Sequence, residues 1–282
     1  MRTLALVICI VRTAVALQVK PHFRRSSSNY RQSVRTNHRN IVCGWGPEPI
    51  WHLNSITSIS DAAEGLKAIT ISPPGDVAEG FATPGQYVQI REPGAEKAGF
   101  FAIASAPGAA GDFQFLIKEQ PPSDWSPGTG WLTSAPAGTA LEMSQVMGTG
   151  FKVTGTLGDV DTVVLFAAGS GISPIRSVIE SGVLKGKDTQ LYYGAQTPAK
   201  MAYMDKFTSW ESLGCAVTPV VSQPPPEWAG AIGYVQDVAK GAGISKPEST
   251  AVLLCGMKGM AMGVKELCAG VGIDESRVLT NF

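Results

Sequence analysis

The stretch TVVLFAAGSGISPIRSVIESG, Thr162 to Gly182, ends an apolar run on Gly169-Ser170-Gly171 and resumes at Ser173-Pro174 with a helix-like pattern. Such a junction does one kind of chemistry without any acid or base. Glycine lets a ligand approach the backbone closely, and a helix starting just beyond offers amides and the positive end of its dipole to an anion. Ser173 is expected to cap that helix and Pro174 to begin it. A pyrophosphate would then lie against Gly169, Ser170, Gly171, Ile172, Ser173 and Pro174. A strand–glycine–helix junction is as often only a turn, so a second element is needed. AVLLCGMKGM, Ala251 to Met260, places Cys255-Gly256 where another apolar strand meets a helix. Cys255 is then either a small buried hydrophobe or a residue facing a nicotinamide.

Other chemistries have little to work with. Of three histidines, His22 and His38 lie near the start and only His52 lies beyond it, which starves any His-based metal site or Ser/Cys–His nucleophile. The five cysteines, Cys9, Cys43, Cys215, Cys255 and Cys268, show no cluster-ligand spacing, so neither zinc nor an iron–sulfur cluster is expected. The net charge is zero, but eight of the 23 basic residues precede the first acid, Glu48. The rest of the chain is therefore about −8, the wrong sign for neutralising nucleic-acid phosphates.

The elements that position these turns fall into two rhythms. From Ile50 to about Val153, SITSIS, LKAITIS, QYVQIR, FFAIAS, FQFLIK and LEMSQV read as short strands separated by Pro/Gly breaks. In FQFLIK, Phe113, Phe115 and Ile117 alternate with Gln114 and Lys118; in QYVQIR, Val88 and Ile90 alternate with Tyr87, Gln89 and Arg91. Six such strands without a long helix predict a small antiparallel β-barrel. After about Gly155, continuous apolar runs, TVVLFAA, QLYYGA, AVTPVV and AVLLCG, alternate with helical segments. That pattern predicts an α/β domain with a parallel sheet covered on both faces. Thr197 and Pro198 are expected to start one helix, running towards Leu213. In the last helix Met257, Met260, Ala261, Val264, Leu267 and Cys268 follow a 3.6-residue period, read as core. At 282 residues the chain divides into 1–45, 46–155 and 156–282.

Residues 1–45 are expected to be a signal-plus-transit leader, removed or disordered in the mature chain. Arg2, the apolar run Leu4 to Val11 and the small residues of RTAVA resemble a signal sequence, and an Arg- and Ser-rich, acid-free stretch follows. Eight apolar residues are too few to span a bilayer, which needs about 20, and no transmembrane segment is expected in the mature chain. A signal followed by a transit stretch resembles the bipartite leader of algal complex plastids; a mitochondrial presequence or a secretory signal are the alternatives.

With GSGISP and CGMKGM in that order after a β-rich half, the sequence resembles the ferredoxin–NADP reductase superfamily from about Trp51 to Phe282. It is similar in particular to its plant and algal fruit-protein-like plastid group, through FFAIASAP, SQVMGTGF, YYGAQTPAKMAY and the terminal NF. The resemblance implies an antiparallel flavin-binding barrel followed by a Rossmann-like NAD(P) domain, with FAD and NADP or NAD as cofactors. It aligns the family's flavin strand, Arg-x-Tyr-Ser, with Gly99, Phe101 and Ala102, so the Arg and Ser are missing. Phe101 is left as the aromatic surface, and Ile103, Ala104 and Ser105 continue the strand. It matches a second flavin-phosphate motif to Gly130-Trp131-Leu132-Thr133 before a helix and places Phe282 near the flavin. On the NAD(P) side it implies roles for Gly169 to Pro174, for Cys255 as a positioning residue at the nicotinamide, and for Gly256, Met257 and Met260. Gln196 stands where relatives often carry an Arg for a 2′-phosphate, with Lys200 near enough in sequence to substitute.

The expected function is a flavin-dependent oxidoreductase passing hydride from NAD(P)H to FAD and electrons to an unidentified acceptor, any iron–sulfur or haem partner being a separate protein. The rival is a reductase-like NAD(P)-binding module or complex subunit that has lost tight flavin binding, motivated by Gly99 and Ala102. A third reading is a flavin reductase or diaphorase without a dedicated protein partner.

Overall fold

The computed structural model describes residues 47–281, apart from 110, 122 and 124–126. The stretch 1–45, where a leader is expected, and Phe282 lie outside the described residues. All six strands expected in the β-rich half form: β1 (Trp51–Ala63), β2 (Leu66–Ile71), β3 (Tyr87–Arg91), β4 (Gly99–Ala102), β5 (Phe113–Lys118) and β6 (Ala140–Ser144). They make one antiparallel sheet in the order β4-β3-β6-β1-β2-β5. β1 serves two partners, Trp51–Ser55 pairing with β6 and the stretch from Ile56 onward with β2. The two edges then meet, because just past β4 the amide of Ala104 donates to Gln114 O of β5 at 2.7 Å. Alternate residues fill the interior: Ile56, Ile69, Val88, Ile90, Phe101, Phe113, Phe115 and Leu141 pack as one cluster.

Two short helices accompany the barrel, α1 (Gly75–Glu79) and α2 (Pro127–Ser134). α2 lies against the start of β4, where a Cβ added to Gly128 would come within 2.8 Å of Gly99 N. A kinked turn, α3 (Val153–Thr156), leads into the second half.

There, β7 (Thr162–Ala168), α4 (Ile172–Glu180), β8 (Asp188–Ala195), α5 (Phe207–Ser212), β9 (Cys215–Val221), β10 (Ala231–Ile232), α6 (Val235–Ala242), β11 (Thr250–Cys255), α7 (Lys258–Val271) and β12 (Val278–Leu279) follow one another. All strands pair in parallel, in the order β10-β9-β8-β7-β11-β12. The apolar runs are continuous because both faces are covered. Val163, Leu165 and Ala167 of β7 pack with Ile172, Ile175 and Trp210 of α4 and α5, whereas Val164 and Phe166 pack with Met260 and Val264 of α7. Leu66 and Leu116, on the outside of the barrel, join the first of these clusters, which is why β5 is buried on both faces along part of its length. Among the described residues no helix is long and apolar enough to cross a membrane.

Thr197 does not start a long helix. Pro198–Lys200 is a single 3-10 turn, and Thr197 makes no side-chain cap. The segment is held open instead: Ala199 O accepts from Glu64 N at 2.8 Å, Ala202 N donates to Tyr193 Oη at 3.2 Å, and Tyr203 is left-handed at φ 64°. The final helix carries the expected stripe, with Met260, Val264, Leu267 and Cys268 buried, but Met257 precedes the helix and is 70% exposed.

The seam between barrel and α/β half depends on Gly85. Its φ is +90°, and an added Cβ would lie 2.8 Å from Phe151 Cδ2 and 2.9 Å from Asn281 Cβ. Gly85→Ala is expected to cost roughly 2–4 kcal/mol through strain and overpacking, measured by chemical denaturation; an unchanged midpoint would contradict this packing.

Candidate functional site

The parallel register brings three strand ends level. Ala167 pairs with Cys255 on one side and Ala168 with Gly194 on the other. β7 leaves this edge through a left-handed Gly169, φ +54°, into a 3-10 turn, Gly169–Gly171, that runs directly into α4. The helix therefore starts at Ile172, before the expected cap. Ser173 is inside the first turn, with its hydroxyl donated to Ala102 O at 3.2 Å, and Pro174 is buried within the helix. This moves the anion-binding end back: the amides without an acceptor inside the helical turns are those of Gly169, Ser170 and Gly171.

The two glycines of the turn do different work. A Cβ added to Gly169 meets nothing within 4 Å, so that side of the turn is open to a ligand. A Cβ on Gly171 would stand 2.2 Å from Cys255 O and 2.9 Å from Gly256 Cα. Gly171 thus exists for the approach of one backbone to another, not for the approach of a ligand as the sequence alone suggested. Gly256 is equally confined, its added Cβ falling 2.9 Å from Met260 Cε and 3.1 Å from Ala168 Cβ. Gly169 to Pro174 and Cys255, Gly256 and Met260 are thereby gathered at one sheet edge, with exposed Met257 beside them.

A residue that sequence reasoning passed over holds the turn. Tyr193, fully buried on β8, donates its hydroxyl to Gly169 O at 3.3 Å and accepts from Ala202 N. Burial pushes its phenol well above the usual range, so it remains a donor. Next along the same edge, Gln196 is exposed, and its Oε1 accepts from Lys200 Nζ at 2.7 Å, while Glu64 lies 3.7 Å from that ammonium.

Burial also pushes the Cys255 thiol up to about 12, as it does Cys215, and Cys268 to about 11. The thiolate, the reactive form, is then scarce from pH 6 to 9 and grows only as the pH nears these values. Alkylation at pH 8 mapped by mass spectrometry should leave all three unmodified in the native protein and label them after unfolding; rapid native labelling of Cys255 would refute a merely positioning thiol.

The barrel contributes the strand beyond β4. Ala102 ends β4, and Ile103, Ala104 and Ser105 continue it, with Ile103 N donating to Gln86 O at 3.1 Å and Ser105 Oγ accepting from Gln114 N at 3.3 Å. Phe101, opposite Val88 in the register, turns into the barrel and is 6% exposed. Its ring folds over Gly99, where an added Cβ would be 2.4 Å from Phe101 Cζ. The aromatic surface on the outer face is instead Phe100, 61% exposed and 5.6 Å from the Tyr87 ring between centroids. The exposed ring expected at Phe101 is thus found one residue earlier, because strand alternation sends only one of the two rings outward.

Gly130, Trp131, Leu132 and Thr133 are corrected similarly. They lie within α2 and not before it, Leu132 and Thr133 are buried, and Thr133 Oγ1 bonds back to Thr129 O at 2.9 Å. Gly128, in the first turn of this helix, lies at the Gly99 end of β4. Phe282 is outside the described residues; its neighbour Asn281 is buried, with Nδ2 3.4 Å from Gly85 O.

A family model for the oxidoreductase NAD-binding domain matches residues 165–266. The fruit protein pKIWI502 of Actinidia deliciosa is 35% identical over 250 residues, 83% of this chain and 76% of that protein. The reductase component of propane 2-monooxygenase from Mycolicibacterium goodii is 28% identical over 195 residues, and the aligned part spans only 51% of its length. Among solved structures, a ferredoxin NADP+ reductase from Neisseria gonorrhoeae with bound FAD and NADP superposes with a TM-score of 0.71 over 83% of this chain and all of that one, at 16% identity.

Proposed function

The chain belongs to the ferredoxin–NADP reductase-like superfamily, and from that premise we propose that it is a flavin-dependent oxidoreductase that takes hydride from NAD(P)H and delivers electrons to a separate acceptor. The observation that carries this is the backbone contact between Gly171 and Cys255-Gly256, made beside the barrel strand 102–105. That contact fuses two turns into one cradle facing the barrel. The cradle fits a dinucleotide, since the open side of Gly169 and the amides of Gly169–Gly171 suit a pyrophosphate, and Cys255 supplies a neutral wall for an uncharged ring. The outer face of β3 and β4 fits a flat aromatic ligand through Phe100 and Tyr87, and the first turn of α2 suits its phosphates.

Bound together, the cofactors supply the redox chemistry itself. The chain binds, orients and excludes water. Tyr193 keeps the Gly169 carbonyl turned away from the cradle, Cys255 holds a protonated thiol against the ring's side, and the strand from Ala102 to Ser105 carries the flavin side. No histidine is required. Gln196 and Lys200 stand at the end of β8, where the adenosine end of the dinucleotide would lie; Lys200, steadied by Gln196, is the cation available to a 2′-phosphate, with Glu64 opposing it. The division at about 155–156, with a plastid leader in 1–45, completes the reading.

Gly99 and Ala102 favour the second reading, an NAD(P)-binding module without tight flavin, because β4 offers neither a fixed cation nor a side-chain donor. Extraction of cofactor from the purified protein, followed by NADH and NADPH titration, separates the two. FAD, retained or taken up on addition and reducible by one nucleotide, is expected; a colourless protein that refuses FAD yet binds NAD(P)H would establish the module.

A further inference from the structure

Ser173 and Ser177 stand four residues apart on α4 and so share one face of it. A serine inside a helix commonly returns its hydroxyl to the carbonyl one turn back. These two do otherwise. Ser173 Oγ donates to Ala102 O at 3.2 Å and Ser177 Oγ to Ser105 O at 2.8 Å. Both are nearly inaccessible, at 3% and 0% exposure, and their acceptors bracket the strand on which the flavin side of the site is built. The barrel holds the same strand from within, through Ile103 N to Gln86 O and Ala104 N to Gln114 O.

At this same N-terminal end, two residues before Ser173, α4 is continuous with the Gly169–Gly171 turn, which rests on Cys255-Gly256. Its flank is stiffened by buried Arg176, paired with Glu180 at 2.9 Å and stacked 4.8 Å from the centroid of Tyr203, while Trp210 Nε1 donates to Glu180 Oε1 at 3.1 Å. One helix thus spans from the nucleotide turn to the flavin strand, anchored at both by short contacts.

We infer that Ser173 and Ser177 are positioning residues for hydride transfer, setting the depth at which the nucleotide turn docks on the 102–105 strand. This rests on the functional reading above. In the step concerned, the C4–H bond of NAD(P)H breaks, its hydrogen and both electrons pass to FAD, and NAD(P)+ is left with a flavin reduced by two electrons. Such a transfer is steep in distance: a displacement of about 1 Å costs on the order of 100-fold. Without the hydroxyls, the half-buried Ala102 O and the buried Ser105 O lose their side-chain donors, and the strand recovers hydrogen bonding by drawing away from α4. Because both hydroxyls are committed to protein carbonyls, nucleotide affinity survives their loss.

The test uses the full chain loaded with FAD, comparing wild type, Ser173→Ala, Ser173→Ala/Ser177→Ala and the hydroxyl-retaining Ser173→Thr in anaerobic rapid mixing with NAD(P)H. The double variant should reduce its flavin about 10- to 100-fold more slowly at saturation, with the apparent Kd for NAD(P)H within about threefold. Its long-wavelength nicotinamide–flavin charge-transfer absorbance should weaken, and hydrogen exchange at residues 103–104 should quicken. Ser173→Thr should keep the wild-type rate. A double variant as fast as wild type overturns the inference, as does a parallel loss of rate and affinity that Ser173→Thr shares. If the double variant does not fold, Ser173→Ala decides by the same criteria. A wild-type protein whose flavin NAD(P)H does not reduce overturns the functional reading itself, and the inference falls with it.

Discussion

Gly171→Val should abolish reduction by NAD(P)H, lowering kcat/KM by at least about 100-fold, while flavin stays bound. Even the first carbon of the new side chain would stand 2.2 Å from Cys255 O and 2.6 Å from Cys255 C. Neither is the end of a flexible side chain, so one of the two backbones must move. The movement parts the β7–α4 turn from the β11–α7 turn, and the ring held between them loses its seat. Flavin should be retained, because the residues proposed to hold it, Phe100, Tyr87 and α2, belong to the barrel. Gly171→Ala is expected to fail nearly as badly, since the clash lies at Cβ itself; this separates the present explanation from simple obstruction of a ligand, under which alanine would be tolerated far better than valine. Rapid-mixing kinetics together with flavin absorbance measure both halves of the expectation. Retention of wild-type reduction by either variant would show that this edge of the sheet is not where the dinucleotide binds.

The second large effect separates two adjacent rings. Phe101→Ala should destabilise the barrel by about 3–5 kcal/mol, the usual cost of deleting a buried phenylalanine, because its side chain fills the interior between Val88 and Gly99. Phe100→Ala should leave the denaturation midpoint near wild type and instead strip FAD, weakening its retention by about 5- to 10-fold through loss of one stacked aromatic contact. Denaturant titration and FAD dissociation measured on the same two proteins decide the matter. A Phe101→Ala protein of full stability that sheds FAD, beside a Phe100→Ala protein that keeps it, would reverse the assignment.

These two phenylalanines also show what the sequence reveals and what it hides. Alternation along QYVQIR and the start of FQFLIK identified their inward faces correctly, since Gln89 and Gln114 separate apolar residues there, whereas Leu116 breaks the pattern because it is buried against the second half. In FFAIAS both Phe100 and Phe101 are apolar, and period-2 counting has nothing with which to choose a face. Only the pairing of Phe101 with Val88 decides it. The parallel half was legible for the opposite reason, as its strands are apolar throughout and its turns glycine-rich. The sheet edge was legible with it, whereas the purpose of Gly171 was not, because contact between two turns about 85 residues apart leaves no local signal.

α2 was hidden by its composition. PGTGWLTS carries two glycines, each costing a helix about 1 kcal/mol against alanine, and only packing on Gly99 and Ile90, which needs a glycine at 128 to fit, makes the helix form there. The same tertiary override relocated the Gly130–Thr133 motif and withdrew Ser173 from its expected cap, because an acceptor across the seam outcompetes the local one. Ser177 had one signal in the sequence, a second hydroxyl at i+4 from the first. Tyr193 had none beyond its place at the end of an apolar strand.

The most direct measurement is an anaerobic titration of the FAD-loaded full chain with NADPH and, separately, NADH, followed by flavin absorbance, in wild type and Gly171→Ala. Stoichiometric bleaching of the wild-type flavin by at least one nucleotide, lost in the variant although its flavin remains bound, is the expected result. A flavin that neither nucleotide bleaches, or one that bleaches equally in both proteins, would contradict a cradle formed by the two turns.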